Sequence, residues 1–277
     1  MSEVDALLRT LRRVETPCGA GVMIWHVWGE GAPLVLLHGG VGSWRHWLRV
    51  IPRFAGTRQV IVPDLPGFSD SAVPPSTAIE DVADIVAQGL RAVTREPADL
   101  VGFSFGATVA SHLALHLGDQ ARSLTLVGAG GLVPLRAPMI LEKVRGLEGT
   151  ALRDAHRENL ARMMIADRAK IDDLALDIQE WNSSRARLDT RVYVKEGALR
   201  RALGKLTLPV DAVWGTLDQL AYWGLEDRVD ALRALHPDAR ISLIPDAGHW
   251  LAYEAPEALT DILRGYFENR RVPMGAQ

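Results

Sequence analysis

The chain has 277 residues, of which 48% are hydrophobic and 23% charged, a balance that supports one large core in an ordinary globular protein. A formal net charge of -3, with Arg and Lys scattered along the chain, excludes the concentrated basic field that nucleic-acid binding needs. The single cysteine, Cys18, excludes an internal disulfide and a cysteine-rich metal site, and no uncharged apolar run approaches the roughly 18 residues of a membrane-spanning helix.

The N-terminus opens on acidic residues and then alternates leucines with arginines from Leu7 to Arg13, which is not the apolar core of a secretory signal. The expectation is a cytoplasmic protein with no membrane partner. Short branched-apolar runs then alternate with longer helical patterns. Strands are expected at residues 22–27, 34–37, 59–62, 100–103, 123–127, 210–214 and 240–244, each bounded by Gly, Pro or Asp. Between them, Ile79, Val82, Ala83, Val86, Leu90 and Val93 fall on one helical stripe, and further helices are expected at 107–117, 231–235 and 256–267. This rhythm is that of an α/β fold with a mostly parallel sheet flanked by helices.

One stretch breaks the rhythm. Residues 134–206 hold no strand pattern, and helices are expected at 141–147, 151–164, 171–183 and 192–203. A crossover between parallel strands needs one helix, not four. The chain therefore reads as a core of residues 1–133 and 207–277 with a helical cap inserted at 134–206. The cap would cover the C-terminal edge of the sheet, where open α/β sheets place their ligands.

The strongest chemical signal is Gly102-Phe103-Ser104-Phe105-Gly106, which follows an apolar strand and precedes a helix. That strand–turn–helix setting is what a nucleophile elbow requires, and it points to Ser104 as nucleophile. A serine hydroxyl needs a base. His249, in a loop after the last apolar run and flanked by Pro245, Asp246 and Gly248, is the candidate; His112 and His116 lie in the helix after the elbow, His26 and His46 come early and read as packing or surface groups, and His156 and His236 lack such a setting. Asp218, just past the run that ends Val213-Trp214-Gly215, would fix the imidazole tautomer and stabilise its charged form. The chain order Ser, Asp, His fits this arrangement.

A tetrahedral intermediate needs preorganised N–H donors. The amide of Phe105 is one candidate, and that of Gly40, in the loop His38-Gly39-Gly40-Val41-Gly42, is the other. That loop lacks the Gly-Lys-Ser/Thr ending of a phosphate cradle, no dinucleotide-binding glycine motif follows the first strand, and no metal-ligand spacing of histidines appears. No cofactor or metal is expected. Asp64, heading the turn Asp64-Leu65-Pro66-Gly67-Phe68-Ser69-Asp70-Ser71, is expected to tie that turn to backbone amides. Trp44, Trp214, Trp223 and Trp250 fall near the active edge of the sheet, and Trp181 falls in the cap. Most of these are expected to pack, and some to line an apolar or aromatic pocket.

Taken together, these motifs resemble the α/β-hydrolase fold superfamily over roughly residues 22 to 270. Within it the chain is similar to capped carboxylesterases and to meta-cleavage product hydrolases, which cleave a carbon–carbon bond in dienoic ketoacids. The resemblance implies catalysis without metal or cofactor on a small-molecule substrate. It also implies a substrate-binding role for Gly39, for Trp250 after the histidine, and for Trp181 with a cap arginine, Arg185 or Arg187, that would hold an acidic group. Two departures bear on the carbon–carbon reading: the loop continues Val41-Gly42-Ser43 where those enzymes have Gly-Pro-Gly, and Phe105 stands where they carry Met. A serine in place of an aspartate nucleophile argues against a dehalogenase or epoxide hydrolase. A non-catalytic ligand-binding homologue would be marked by loss of a triad member, yet all three positions are filled. The oligomeric state is open, a homo-oligomer included.

Overall fold

The computed structural model describes residues 2–134, 139–221 and 224–268, so Trp223 lies outside the described residues. Strands β1 (Arg12–Cys18), β2 (Gly21–Trp28), β3 (Pro33–Leu37), β4 (Gln59–Asp64), β5 (Ala98–Phe103), β6 (Ala121–Val127), β7 (Val210–Gly215) and β8 (Ile241–Ile244) form one sheet in the order β1-β2-β4-β3-β5-β6-β7-β8. The β1–β2 and β2–β4 pairs are antiparallel, and the remaining pairs are parallel. The helices are α1 (Glu3–Leu8), α2 (Ile51–Phe54), α3 (Ile79–Val93), α4 (Phe105–Leu117), α5 (Gly149–Asn159), α6 (Asp173–Ser184), α7 (Arg191–Lys195), α8 (Ala198–Leu203), α9 (Leu225–Leu235), α10 (Leu251–Glu254) and α11 (Pro256–Glu268).

The central strands are mostly apolar because both faces are covered, and their apolar residues alternate between two cores. On β3, Val35 and Leu37 join the core under α3, α4, α8 and α9, while Leu34 and Leu36 join the opposite core with Trp47, Trp250 and Leu263. Burying one such leucine contributes about 2–3 kcal/mol. Helix α3 spans the residues its stripe predicts, with Ile79, Val82, Ala83, Val86 and Leu90 buried.

Strand β1 is absent from the sequence expectation. Its burial is irregular, with Arg12, Arg13 and Glu15 exposed, so it lacks the apolar run that marks the central strands. It is held by antiparallel pairing with β2 and ends on buried Cys18.

The segment between β6 and β7 is helical, with three corrections. No helix forms at 141–147. Instead, the Asn159 side chain brackets the Glu142 backbone, accepting its N–H at 2.7 Å and donating to its carbonyl at 3.0 Å, and Gly146 turns the chain at φ 84°. The helix expected at 151–164 is α5 followed by one π turn, Leu160–Met164. The helix expected at 192–203 is split into α7 and α8 by Gly197 in the left-handed region. Helix α6 starts where the Asp172 carboxylate accepts the Ala175 N–H at 2.9 Å. Among the described residues no helix is long and apolar enough to cross a membrane.

Candidate active site

Ser104 sits at the tip of the turn between β5 and α4, half-buried, with φ 52° and ψ -115°. A non-glycine residue in this region is strained. The surroundings hold it there: the Ser104 N–H donates to Val127 O at 2.8 Å, and its carbonyl accepts from Ala107 N at 3.0 Å. The turn closes only because Gly106 lacks a side chain. A Cβ there would lie 2.4 Å from Leu37 O and 2.5 Å from His38 O.

Asp218 and His249 come from the loops after β7 and β8 and are buried to 1% and 2% exposure. His249 Nδ1 lies 2.8 Å from Asp218 Oδ2. A carboxylate only accepts, so Nδ1 carries the proton and the Nε2 lone pair is left free. The other carboxylate oxygen accepts the Leu220 N–H at 2.9 Å, which fixes the carboxylate plane. The imidazole packs against Phe103, the residue preceding Ser104, at 4.9 Å between ring centroids. Gly128 at the end of β6, φ 55°, clears room for it, since a Cβ would sit 3.1 Å from Nδ1.

The loop after β3 runs beside the elbow: a Cβ on Gly39 would lie 3.3 Å from Ser104 Cβ. The loop is anchored at both ends. His38, fully buried, accepts the Leu65 N–H at Nε2 (2.9 Å) and donates from Nδ1 to Gly39 O (2.7 Å); burial pushes its pKa down to about 4. Ser43 Oγ donates to buried Asn182 Oδ1 on α6 at 2.7 Å. Asp64, raised in pKa by burial, accepts the Trp44 N–H at 2.9 Å, so it ties this loop and not only its own turn. Gly40 faces the segment after α6, and a Cβ on it would meet Thr190 Oγ1 at 2.7 Å. The Phe105 ring stacks on Tyr193 at 5.3 Å.

Two candidates for substrate binding, Trp250 and Arg187, are engaged in packing or backbone contacts, while Arg185 lies with Trp181. Trp250 is fully buried, its indole donating to His46 O at 2.8 Å and its ring 4.4 Å from Tyr253, so it packs the core and does not line an open pocket. The Arg187 guanidinium donates to the carbonyls of Ser69 and Ser71, and its N–H to Gly67 O at 2.9 Å. These bonds latch the helical segment to the turn after β4 and engage Nη2, one prong of the fork that would grip a carboxylate. Arg185 lies over the Trp181 ring at 3.5 Å and donates to Ser184 Oγ, while Arg45 lies over the same ring at 3.9 Å.

Two buried groups beside the site are missed by sequence reasoning. Glu254, five residues beyond His249, accepts the N–H of Gly248 (2.7 Å), Ala166 (3.1 Å) and Asp167 (2.8 Å) and so joins the histidine loop to the end of the π turn. His46 touches the Gly39 loop. The only signal for either is a polar residue at an otherwise apolar position.

A sequence model of the α/β-hydrolase fold matches residues 32–256, and the chain belongs to that family. It is 28% identical to the 2-hydroxy-6-oxo-6-phenylhexa-2,4-dienoate hydrolase of Burkholderia cepacia, over 87% of this chain and 89% of that one. It is 27% identical to the pimeloyl-[acyl-carrier protein] methyl ester esterase of Aeromonas hydrophila, over 86% and 96%. A shorter match, 40% identical over 112 residues, covers 39% of this chain and 40% of the 2-hydroxymuconate semialdehyde hydrolase of a Pseudomonas species. Among solved structures it resembles Cfl2 of Burkholderia cenocepacia, with a TM-score of 0.77 and 25% identity over 93% of this chain and 96% of that one. The chain is thus a hydrolase of the α/β-hydrolase superfamily, with relatives named as a methyl ester esterase and as a dienoate hydrolase.

Proposed function

We propose that the protein is a serine hydrolase of small apolar or aromatic carboxylic esters. Ser104 is the nucleophile, His249 the base, and Asp218 the group that orients it. The amides of Gly40 and Phe105 bind the oxyanion, and residues 134–206 act as a cap over the site. The observation that carries this reading is the buried Asp218–His249 hydrogen bond, with the imidazole packed on Phe103, the residue that precedes the strained Ser104.

His249 Nε2 takes the hydroxyl proton as Ser104 Oγ attacks the acyl carbon, and the carbonyl oxygen becomes the oxyanion. Collapse breaks the ester C–O bond, and the imidazolium returns its proton to the leaving alcohol. Water, deprotonated by the same base, then releases the acid and restores the serine.

Turnover of a short-chain aryl ester tests the reading. Ser104→Ala is expected to lower kcat/KM about ten-thousandfold while keeping the wild-type Tm. An Ala variant as active as wild type would remove Ser104 from the chemistry.

A second reading, hydrolysis of a carbon–carbon bond in a dienoic ketoacid, is favoured by the near full-length similarity to the Burkholderia cepacia enzyme. It needs a cation for the substrate carboxylate, and of the two arginines named for that task Arg187 is engaged on backbone carbonyls. Assaying a ring-fission dienoate beside the ester separates the readings. A dienoate kcat/KM about a hundredfold above that of the ester, near 3 kcal/mol of transition-state stabilisation, would transfer the assignment.

A further inference from the structure

His46 lies on the short helical turn Trp44–Trp47, buried to 1% exposure. Its ring is T-packed against Phe103 (5.4 Å) and Trp250 (5.1 Å), the neighbours in sequence of Ser104 and His249. Its Nδ1 accepts the Gly39 N–H at 3.3 Å. Accepting at Nδ1 puts the ring proton on Nε2, and Nε2 is buried without a hydrogen-bond partner. A buried unmet donor costs about 1–3 kcal/mol. Phenylalanine would fill the same space and remove that unmet donor, but would leave the buried Gly39 N–H unmet instead, so packing alone does not account for an imidazole here. The contact that only the imidazole makes is the one to Gly39.

That contact falls on a strained loop. Val41 has φ 49°, a region costly for a β-branched residue, and it follows Gly40 directly. Strain of this kind persists only where the surroundings over-determine the backbone. Gly42 presses on the same ring, since a Cβ there would lie 2.5 Å from His46 Cε1. The loop therefore wraps the imidazole from Gly39 to Gly42.

We propose that His46 is the positioning residue of the oxyanion loop: its Nδ1 holds the Gly39 amide turned inward, so that the next amide, of Gly40, is left for the reacting carbonyl oxygen. This rests on the serine-hydrolase reading above. His46 takes no part in proton transfer, because burial, with His38 and His249 beside it, keeps it neutral far below the ordinary histidine range.

Two variants separate positioning from packing. His46→Phe keeps an aromatic ring against Phe103 and Trp250 and removes the acceptor. His46→Asn keeps an acceptor oxygen near the Nδ1 position and loses the ring. Three readouts are needed: Tm, aryl ester kinetics, and affinity for an aryl boronic acid. The boronic acid bonds to Ser104 Oγ as the serine proton passes to His249, giving a tetrahedral anion in the oxyanion site. For His46→Phe the Tm is expected to stay within a few degrees, because one unmet donor replaces another, KM to stay, and kcat and boronate affinity to fall together by about tenfold to a hundredfold. His46→Asn is expected to melt lower yet recover most of the boronate affinity. The proposal is overturned by a Phe variant within twofold of wild type in kcat, by one that fails to fold, or by an Asn variant no better than Phe. A wild type that neither hydrolyses aryl esters nor binds the boronate overturns the serine-hydrolase reading first and this one with it.

Discussion

Asp218 acts through the direction of its hydrogen bonds. One oxygen receives the Leu220 N–H and the other receives His249 Nδ1–H, so the carboxylate accepts on both sides. An asparagine would turn its single oxygen to Leu220 and present its NH2 to the imidazole. Nδ1 would then have to accept, the ring proton would move to Nε2, and the lone pair facing the serine would vanish. Asp218→Asn is therefore expected to lower kcat for the aryl ester about a thousandfold to ten-thousandfold, with KM and Tm little changed. A loss under tenfold would mean that another group orients His249. Trp250 shows the opposite lesson at this scale: its place after the histidine makes it an expected pocket residue, but only packing reveals that its indole is spent on His46 O.

At the scale of elements, the elbow stands on the fit of α4 against β3. Gly106→Ala would drive a methyl into two carbonyl oxygens that cannot rotate away, so α4 must retreat and carry Ser104 with it. The expected cost is roughly 3 kcal/mol or more, read as a large drop in Tm or loss of soluble protein. Gly265→Ala on α11, where nothing lies within 4 Å, is the control and should stabilise by about 0.5–1 kcal/mol through helix propensity. Equal melting of the two variants would refute the packing argument. The same contrast explains what the sequence discloses. Central strands and α3 are legible because their partners are simply apolar, and the elbow because its glycines are fixed by local sterics. Strand β1 is not, since its pairing is set by β2 and its charges face solvent. Nor is the break at 141–147, where the Asn159 side chain, seventeen residues from Glu142, replaces helical hydrogen bonds. His46 and Glu254 escape notice for the same reason: each meets partners that only the folded chain supplies.

At the scale of the whole molecule, the fold stores neutral histidines between its layers, and this sets its acid stability. His26 on β2 and His38 after β3 are both buried and both held down to a pKa of about 4, chiefly because burial penalises the charged ring. In the unfolded chain each would titrate near 6.5. Between those values the unfolded state binds protons that the folded state refuses, so the stability is fully present above pH 6.5 and is lost as pH falls toward 4. The slope is about 1.4 kcal/mol per pH unit for each group, or roughly 3 kcal/mol each across the window, which is large beside a typical total of about 5–15 kcal/mol. Asp64, whose pKa burial raises, works in the opposite sense and offsets part of the loss at the acid end. Urea unfolding at intervals from pH 7.5 to 4.5 should show stability flat above 6.5 and falling steeply below it. His26→Phe gives up the bond to Val62 O but keeps the ring near Trp28 and Trp44, so its stability near pH 7 should be somewhat lower. Its fall between pH 6 and 5 should be shallower than wild type by about 1.4 kcal/mol per unit. An unchanged slope would mean that the His26 ring takes up its proton without leaving the fold, and that acid sensitivity resides elsewhere.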